Sequence, residues 1–469
     1  MRVAIVGGGI SGLAAAHYLK EGARRLGRAL ECTLIEAGAA LGGKIVTVER
    51  DGFVVEAGPD SFLTQKPWAV ELCRELGLEE SLMGTNEESR KVYILWKGKL
   101  RELPDGVLLI VPTRLTPFIL STLISPWGKL RMGLDLVIPP RKDRSDESVA
   151  DFVRRRLGSE ALDKIAEPLM GGIHTSDPER QSLQASFPRF VDLERKYGSL
   201  MRGMIASRRA HRPGNGAALP AFMTLRHGLG ELVSALANRL EGVRVLLGRT
   251  TVALDSAGAG AGYLLTLDDG ATVPADAVVL AVPAREAALL LDRLDGELSA
   301  RLRSIRYVST ATVSFGYRMS DLSHPLRGFG FVIPGKEGRR ITGCTWTSTK
   351  FDHRAPDGMA LLRCFLGSAT NEQPALLPEA EMVEIAREEL RSIMGIDAEP
   401  VLTYVHRWRD SHPQYDVGHL DLLAEIEGRC SALPGIHLVG SSYRGVGIPD
   451  CIRSGKLAAE AILKEKSFA

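Results

Sequence analysis

The residues that most constrain this chain are its first dozen. Val3 to Val6 read as a buried strand that runs straight into Gly7-Gly8-Gly9-Ile10-Ser11-Gly12. Gly7, Gly9 and Gly12 keep the spacing G-x-G-x-x-G, and Leu13 to Leu19 continue with Ala-rich helical periodicity. In that order the glycines have separate tasks: the first permits a tight turn, the second lets a pyrophosphate approach the backbone, and the third lets helix and strand pack closely. Free N–H groups at the helix start then face the phosphates. A second strand, Cys32 to Ile35, ends on Glu36, an acid placed to meet ribose hydroxyls, with Ala37 beside it. A ligand-free glycine loop and a solvated acid are the plainer alternatives. Strand, glycines, helix, strand and acid in register weigh against both.

The 469 residues give room for two or three domains. Hydrophobic content of 45% and charged content of 25% are those of a globular protein, and a net charge of +2 supplies no electrostatic reason to expect nucleic acid. Six cysteines, at 32, 73, 344, 364, 430 and 451, form no C-x-x-C pair, so the thiols read as reduced and buried rather than as a zinc site or redox dithiol. The first strand begins at Arg2, which leaves no room for a signal or transit peptide and points to the cytoplasm. The uncharged stretch Leu115 to Gly128 falls short of the roughly 18 residues a membrane span needs, and Pro117 and Pro126 interrupt it. Two readings of it stay open: helices packed over a substrate cavity, or a surface lying on a bilayer with Arg114, Lys129 and Arg131 at headgroup level.

Further loops follow the same logic. In Leu41-Gly42-Gly43-Lys44 the glycine doublet permits a close backbone approach or a simple turn. Phe53 to Glu56 is a short strand broken by Ala57-Gly58-Pro59-Asp60, with Lys66 and a helix from Trp68 to Leu76 beyond it, which suits a ligand-facing loop. Helical periodicity covers Asp146 to Leu162, with Ser145 as its cap, Leu225 to Leu240, and Ala380 to Met394. Val243 to Leu247, Thr251 to Leu254 and Tyr263 to Leu267 are strands. The apolar run Asp276 to Pro283 fits a strand buried on both faces, where the chain returns to its first domain. Ala257 to Gly262 imitates a second fingerprint, but Tyr263 takes the third glycine's place, so it reads as a hairpin loop and argues against a nicotinamide-dependent reductase. Thr310 to Tyr317, Gly328 to Ile333, Gly343 to Thr347, Ala360 to Phe365 and Val401 to Trp408 form a second, antiparallel sheet. Finally, a strand entering at Gly435 reaches Gly440, a loop runs to Gly447-Ile448-Pro449-Asp450, and a helix spans Cys451 to Lys464. Its N-terminus offers partial positive charge to a second electron-rich group.

Two such turns at opposite ends of the chain suit one long cofactor, FAD, with its pyrophosphate on the first helix and its isoalloxazine near the second. Here the chain resembles the flavin amine oxidase superfamily, and within it the bacterial protoporphyrinogen and coproporphyrinogen III oxidases. The likeness rests on Gly7 to Gly12, Leu41 to Ile45, Glu56 to Leu63, Pro413-Gln414-Tyr415 with Gly418-His419, and Gly445 to Ile452. It covers essentially the whole chain.

The resemblance implies an α/β fold: a Rossmann-like FAD-binding domain, a substrate domain on an antiparallel or mixed sheet, and an inserted helical subdomain. The FAD domain would take 1–85, 242–297 and 431–469, the substrate domain 86–97, 206–241 and 298–430, and the helical, membrane-facing subdomain 98–205. It implies a six-electron oxidation of coproporphyrinogen III or protoporphyrinogen IX by hydride transfers to FAD, with oxygen as acceptor and hydrogen peroxide released. It further implies that the Val252 backbone meets the adenine, that Trp408 stands near the flavin, and that Lys66 faces the substrate propionates. Flavin-borne chemistry asks for no catalytic side chain and no acid–base dyad. His406, His412 and His419 lack the spacing that aligns metal ligands on one helix face, so no metal is expected.

The chain departs from the family at Ala39-Ala40, where relatives carry a charge, and at Gly172-Ile173-His174-Thr175, which bears on substrate preference and makes His174 a substrate-side candidate. The implied partners are the porphyrinogen, oxygen, a membrane surface touched peripherally from the inner face, and the next enzyme of haem synthesis; the oligomeric state stays open. An amine oxidase or carotenoid desaturase, or a non-catalytic escort protein on the same fold, are the rival readings.

Overall fold

The computed structural model describes the chain apart from residues 105–106, 109, 113–114, 211–218, 259–261 and 466–469. It opens with β1 (Arg2–Val6), α1 (Ile10–Arg25) and β2 (Glu31–Glu36), and comes back beside them with β3 (Val243–Leu247) and β4 (Ala277–Leu280). All four residues of β4 are buried, which is why its sequence reads as an unbroken apolar run. Between β3 and β4 lies a three-stranded antiparallel sheet (Thr251–Ser256, Tyr263–Leu267, Thr272–Ala275). Ala259, Gly260 and Ala261 of its hairpin loop lie outside the described residues.

A second sheet is built on β5 (Tyr307–Arg318), β6 (Met359–Leu366) and β7 (Leu402–Pro413), in the order β7-β5-β6 followed by Ile341–Trp346, Gly330–Val332, Val92–Trp96 and Lys99–Glu102. Its pairs are antiparallel except Gly330–Val332 with Val92–Trp96. One face carries Ala311, Val313, Phe315 and Tyr317 into an apolar core with Met382, Ala386 and Leu390 of the helix Glu379–Met394. By strand alternation the other face carries Thr310, Thr312 and Ser314 with Arg363 and Trp408 across the register.

The chain closes with β8 (Ile436–Leu438) and α2 (Ile448–Lys464), completing a parallel sheet of order β3-β2-β1-β4-β8. Helices α1 and α2 lie against each other at backbone distance: a Cβ added at Gly455 would stand 2.3 Å from the Ser11 carbonyl oxygen. This contact brings the first turns of the two helices together.

Helices between 115 and 210 enclose a separate core of Phe118, Leu123, Phe152, Ile165, Phe190 and Leu200, with the fully buried Arg156 donating to Asp135 at 2.6 Å. Local structure here departs from the periodicity. The helix expected over Asp146 to Leu162 is Val149–Arg156, capped by Ser148 rather than Ser145, because Ser148 accepts from the Asp151 N–H. Gly158, at φ +93°, ends the segment before a short helix resumes at Ser159. The helix expected from Leu225 starts at Gly230, since Phe222–Leu225 pairs as a strand with Leu82–Gly84. No helix among the described residues is long and apolar enough to cross a membrane.

Candidate active site

Three backbone loops stack on one another at the C-terminal ends of β1 and β2. The Gly42 N–H donates to the Gly8 carbonyl at 2.9 Å, and Gly9 bridges to Gly42. In turn the loop after Phe53–Glu56 presses on this one, so closely that a Cβ at Gly58 would lie 1.8 Å from the Lys44 carbonyl oxygen. Within the first turn, a Cβ at Gly12 would lie 1.9 Å from the Gly7 carbonyl oxygen. No side chain fits at either position, so backbone meets backbone at both.

Above these loops two helix N-termini converge. Helix α1 begins at Gly9 with no side-chain cap and no acid in its first turn, so the N–H groups of Ile10, Ser11 and Gly12 are free for an anion. Helix α2 begins at Gly447 with Ile448, Pro449 and the acid Asp450 in its first turn and again no side-chain cap. The Ser11 hydroxyl of one reaches the Cys451 thiol of the other. Gly440, whose N–H donates to Ser454 Oγ at 3.1 Å, closes the gap behind them.

Glu36 shapes the turn as well as facing it: its carboxylate accepts from the Gly8 N–H at 2.6 Å and the Gly38 N–H at 2.7 Å. Val252 is passed over in the pairing of its strand with Tyr263–Leu267, and its side chain is exposed. Lys44 donates to the Ser411 carbonyl of β7, and burial pulls its pKa down to about 8. Beside it, burial and the Lys44 charge hold His412 down to about 4, and its Nε2 meets Thr310 Oγ1 at 2.8 Å. Asp60 would be pushed up by burial, but Lys350 at 2.8 Å, with Arg363, outweighs that and holds it at about 2.

Lys66 does not stand free at a cavity mouth: its Nζ pairs with Asp450 at 2.6 Å, tying the loop after Gly58 to the first turn of α2. His174 ends the helix Glu167–His174, and its side chain lies outside the described set. Trp408 donates its indole N–H to the Ala57 carbonyl at 2.8 Å. The three histidines are engaged separately from one another. His406 packs on Trp408, His412 meets Thr310, and His419 stacks on Tyr415 at 4.0 Å and bonds the Tyr443 carbonyl at 2.9 Å.

Several contacts at this site go beyond what the motifs show. Tyr415 donates to the Ser441 carbonyl at 2.7 Å and accepts from the Gly445 N–H at 2.9 Å, which explains what the Pro-Gln-Tyr segment does for the terminal loop. Tyr307 reaches Ser442 at 2.7 Å and receives the Ala284 N–H. Arg363 donates to the Ala57 and Gly58 carbonyls at 3.0 and 2.6 Å. Its signal was present in the sequence: one charge inside the apolar strand Ala360-Leu361-Leu362-Arg363-Cys364-Phe365.

A doubly wound parallel sheet whose glycine turns and helix N-termini meet in one cleft defines a dinucleotide-dependent protein. The family model of flavin-containing amine oxidoreductases matches residues 10–463, and the chain belongs to that family. It is 38% identical to a coproporphyrinogen III oxidase of Bacillus subtilis over 98% of this chain and 97% of that protein. To the chloroplastic protoporphyrinogen oxidase 1 of Arabidopsis thaliana it is 32% identical, over 99% of this chain and 88% of that one. Among solved structures, a provisionally assigned protoporphyrinogen oxidase from an Exiguobacterium species superposes with a TM-score of 0.86 at 34% identity, covering 98% of each chain. The cofactor is therefore a flavin, and the fit to FAD is physical: glycine backbone for a pyrophosphate, an acid-free and uncapped helix start at α1 with the start of α2 beside it, and an acid at the end of β2.

Proposed function

We propose that the chain oxidises a porphyrinogen to the porphyrin, with coproporphyrinogen III favoured over protoporphyrinogen IX. The supporting observation is likeness along the full length: 38%, 34% and 35% identity to three coproporphyrinogen III oxidases, against 30 to 32% for four plant protoporphyrinogen oxidases. Bound FAD would accept hydride from the substrate and pass electrons to oxygen. The chain's own part is to bind, orient and exclude water.

In this reading the N–H groups of Ile10, Ser11 and Gly12, with Gly7, Gly8 and Gly9, hold the pyrophosphate, while Glu36 and Ala37 meet the ribose. The bulge that leaves Val252 out of its ladder supports a backbone contact to the adenine. Gly42, Gly43, Lys44, Ala57, Gly58, Pro59 and Asp60, with Trp408, Gly440, Gly447, Ile448 and Pro449, line the rest. Lys66 and His174 serve the substrate, and Lys66 would exchange its Asp450 carboxylate for a propionate.

Peripheral membrane contact belongs to the same proposal, carried by the exposed Ile119, Leu120, Trp127, Leu130 and Val137. The cations expected to flank this surface do not support it. Lys129 is turned to the Ile119 and Ser121 carbonyls and Arg131 to the carbonyls of Arg154 to Arg156, while Arg114 lies outside the described residues.

Side-by-side turnover of coproporphyrinogen III, protoporphyrinogen IX and a panel of amines by the purified protein tests the assignment. Porphyrin fluorescence should rise with the first substrate fastest. Turnover of an amine alone would overturn it.

A further inference from the structure

Arg363 stands on β6 in the interior of the second sheet, 6% exposed. Its Nη2 donates to both the Ala57 and Gly58 carbonyls, at 3.0 and 2.6 Å, and the Trp408 indole donates to the Ala57 carbonyl from beside it. The guanidinium lies over the Phe365 ring at 5.0 Å. Among the described residues no carboxylate forms a salt bridge with it, and its Nε has no partner at all. The acids that act on it do so from a distance: Asp60, which is committed to Lys350, and Glu56, whose carboxylate accepts from the Leu229 N–H and the Thr47 hydroxyl.

Burying a cation in this way costs several kcal/mol. Tying two carbonyls needs only neutral donors, as Trp408 shows, so anchoring alone does not account for the charge. Peptide planarity supplies the second half of the argument. With the Ala57 carbonyl directed at Arg363 and Trp408, the trans peptide fixes the Gly58 N–H on its opposite edge. That N–H meets no acceptor among the described residues, and the glycine is partly open. An unused donor is thus held on the edge of the peptide that faces away from Arg363 and Trp408, with a buried positive charge behind it.

We propose that Arg363 is a positioning residue for the flavin: it sets the Ala57–Gly58 peptide as a hydrogen-bond donor to the cofactor and supplies the positive field that favours the ring gaining an electron pair. The proposal rests on the flavoprotein reading of the cleft and not on the choice of substrate.

The test is the two-electron midpoint potential of the holoprotein, measured by dye-coupled reduction without substrate, together with flavin retained after gel filtration. Arg363→Met should lower the equilibrium for reduction about tenfold, equivalent to ~30 mV for a two-electron couple. Arg363→Lys, which keeps the charge but not the fork, should restore the potential to within about twofold while retaining less flavin. Asp60→Asn should shift the potential the opposite way, because it removes an opposing charge. An Arg363→Met holoprotein at the wild-type potential would overturn the proposal. If neither that variant nor Arg363→Gln retains flavin, Asp60→Asn carries the test, and a potential unchanged or lowered there overturns it. Wild-type protein that binds no flavin would take down the cofactor reading and this inference together, whereas failure to turn over a porphyrinogen would remove only the substrate assignment.

Discussion

The two sheets each contribute half of the cleft, by opposite means. On the parallel sheet the site is backbone: three glycine loops, two uncapped helix ends, and a carboxylate that grips two N–H groups. On the second sheet and the short helix that follows one of its strands it is side chains: the buried Arg363 on the Gly58 loop, Lys350 on Asp60, Trp408 on Ala57. In the function proposed above, the difference follows from what each half recognises. A pyrophosphate is bound by N–H groups that any residue possesses, so the sequence need only clear side chains away. Tuning a redox ring or seating a carboxylated substrate needs charge, and charge in an interior must be placed by a rigid framework.

The largest expected effect tests the backbone half. Gly12→Ala puts a methyl 1.9 Å from the Gly7 carbonyl oxygen, and neither backbone can withdraw without opening the turn. A loss of about 3 kcal/mol in stability and of bound flavin is expected; a variant that melts like wild type and stays yellow would show the turn to be softer than its packing says.

At the end of the strand that leads into the Gly58 loop, burial pushes Glu56 up to about 7. Its folded pKa lies above the unfolded value, so the native state holds the extra proton between them. Stability should fall as pH rises from about 4.5 to about 7, by roughly 3 kcal/mol at most. Urea titrations across that range should show the slope, and Glu56→Gln should flatten it.

Lys44 joins the two halves, and its ammonium is lost as pH rises through about 8. FAD binding to the apoprotein should weaken across that pH, and Lys44→Met should bind about tenfold more weakly at neutral pH with no inflection. Isothermal titration at a series of pH values would show either outcome. The smallest effect belongs to Lys66→Met. The lysine is 44% exposed, so losing its pair with Asp450 should cost under about 1 kcal/mol of stability. A raised KM for the porphyrinogen with little change in Tm would assign Lys66 to the substrate; a fall in Tm alone would confine it to tying the loop to α2.

The same contrast governs what could be read in advance. The strand–glycine–helix unit at Val3 to Leu19 and the apolar strand at 277–280 announce themselves because their patterns are local. The boundaries that slipped, Ser145 for Ser148 as a cap and Leu225 for Gly230 as a helix start, are places where periodicity continues but a hydrogen bond or a strand partner decides. Lys66 was visible as a cation after a ligand-facing loop, yet only the fold shows that its first partner is Asp450, far along the chain.

By itself the sequence determined a glycine turn with dinucleotide spacing at the start of the chain, a second strand–loop–helix turn at its end, and kinship with flavin-dependent oxidases. Those follow from spacing within a few residues, where sterics and free N–H groups act. Only the tertiary structure decided that α1 and α2 meet turn to turn, that Lys44 and His412 are neighbours, and that a lone arginine in an apolar strand grips the Gly58 loop. Such contacts join residues hundreds of positions apart, and their strength depends on burial, which no local pattern records.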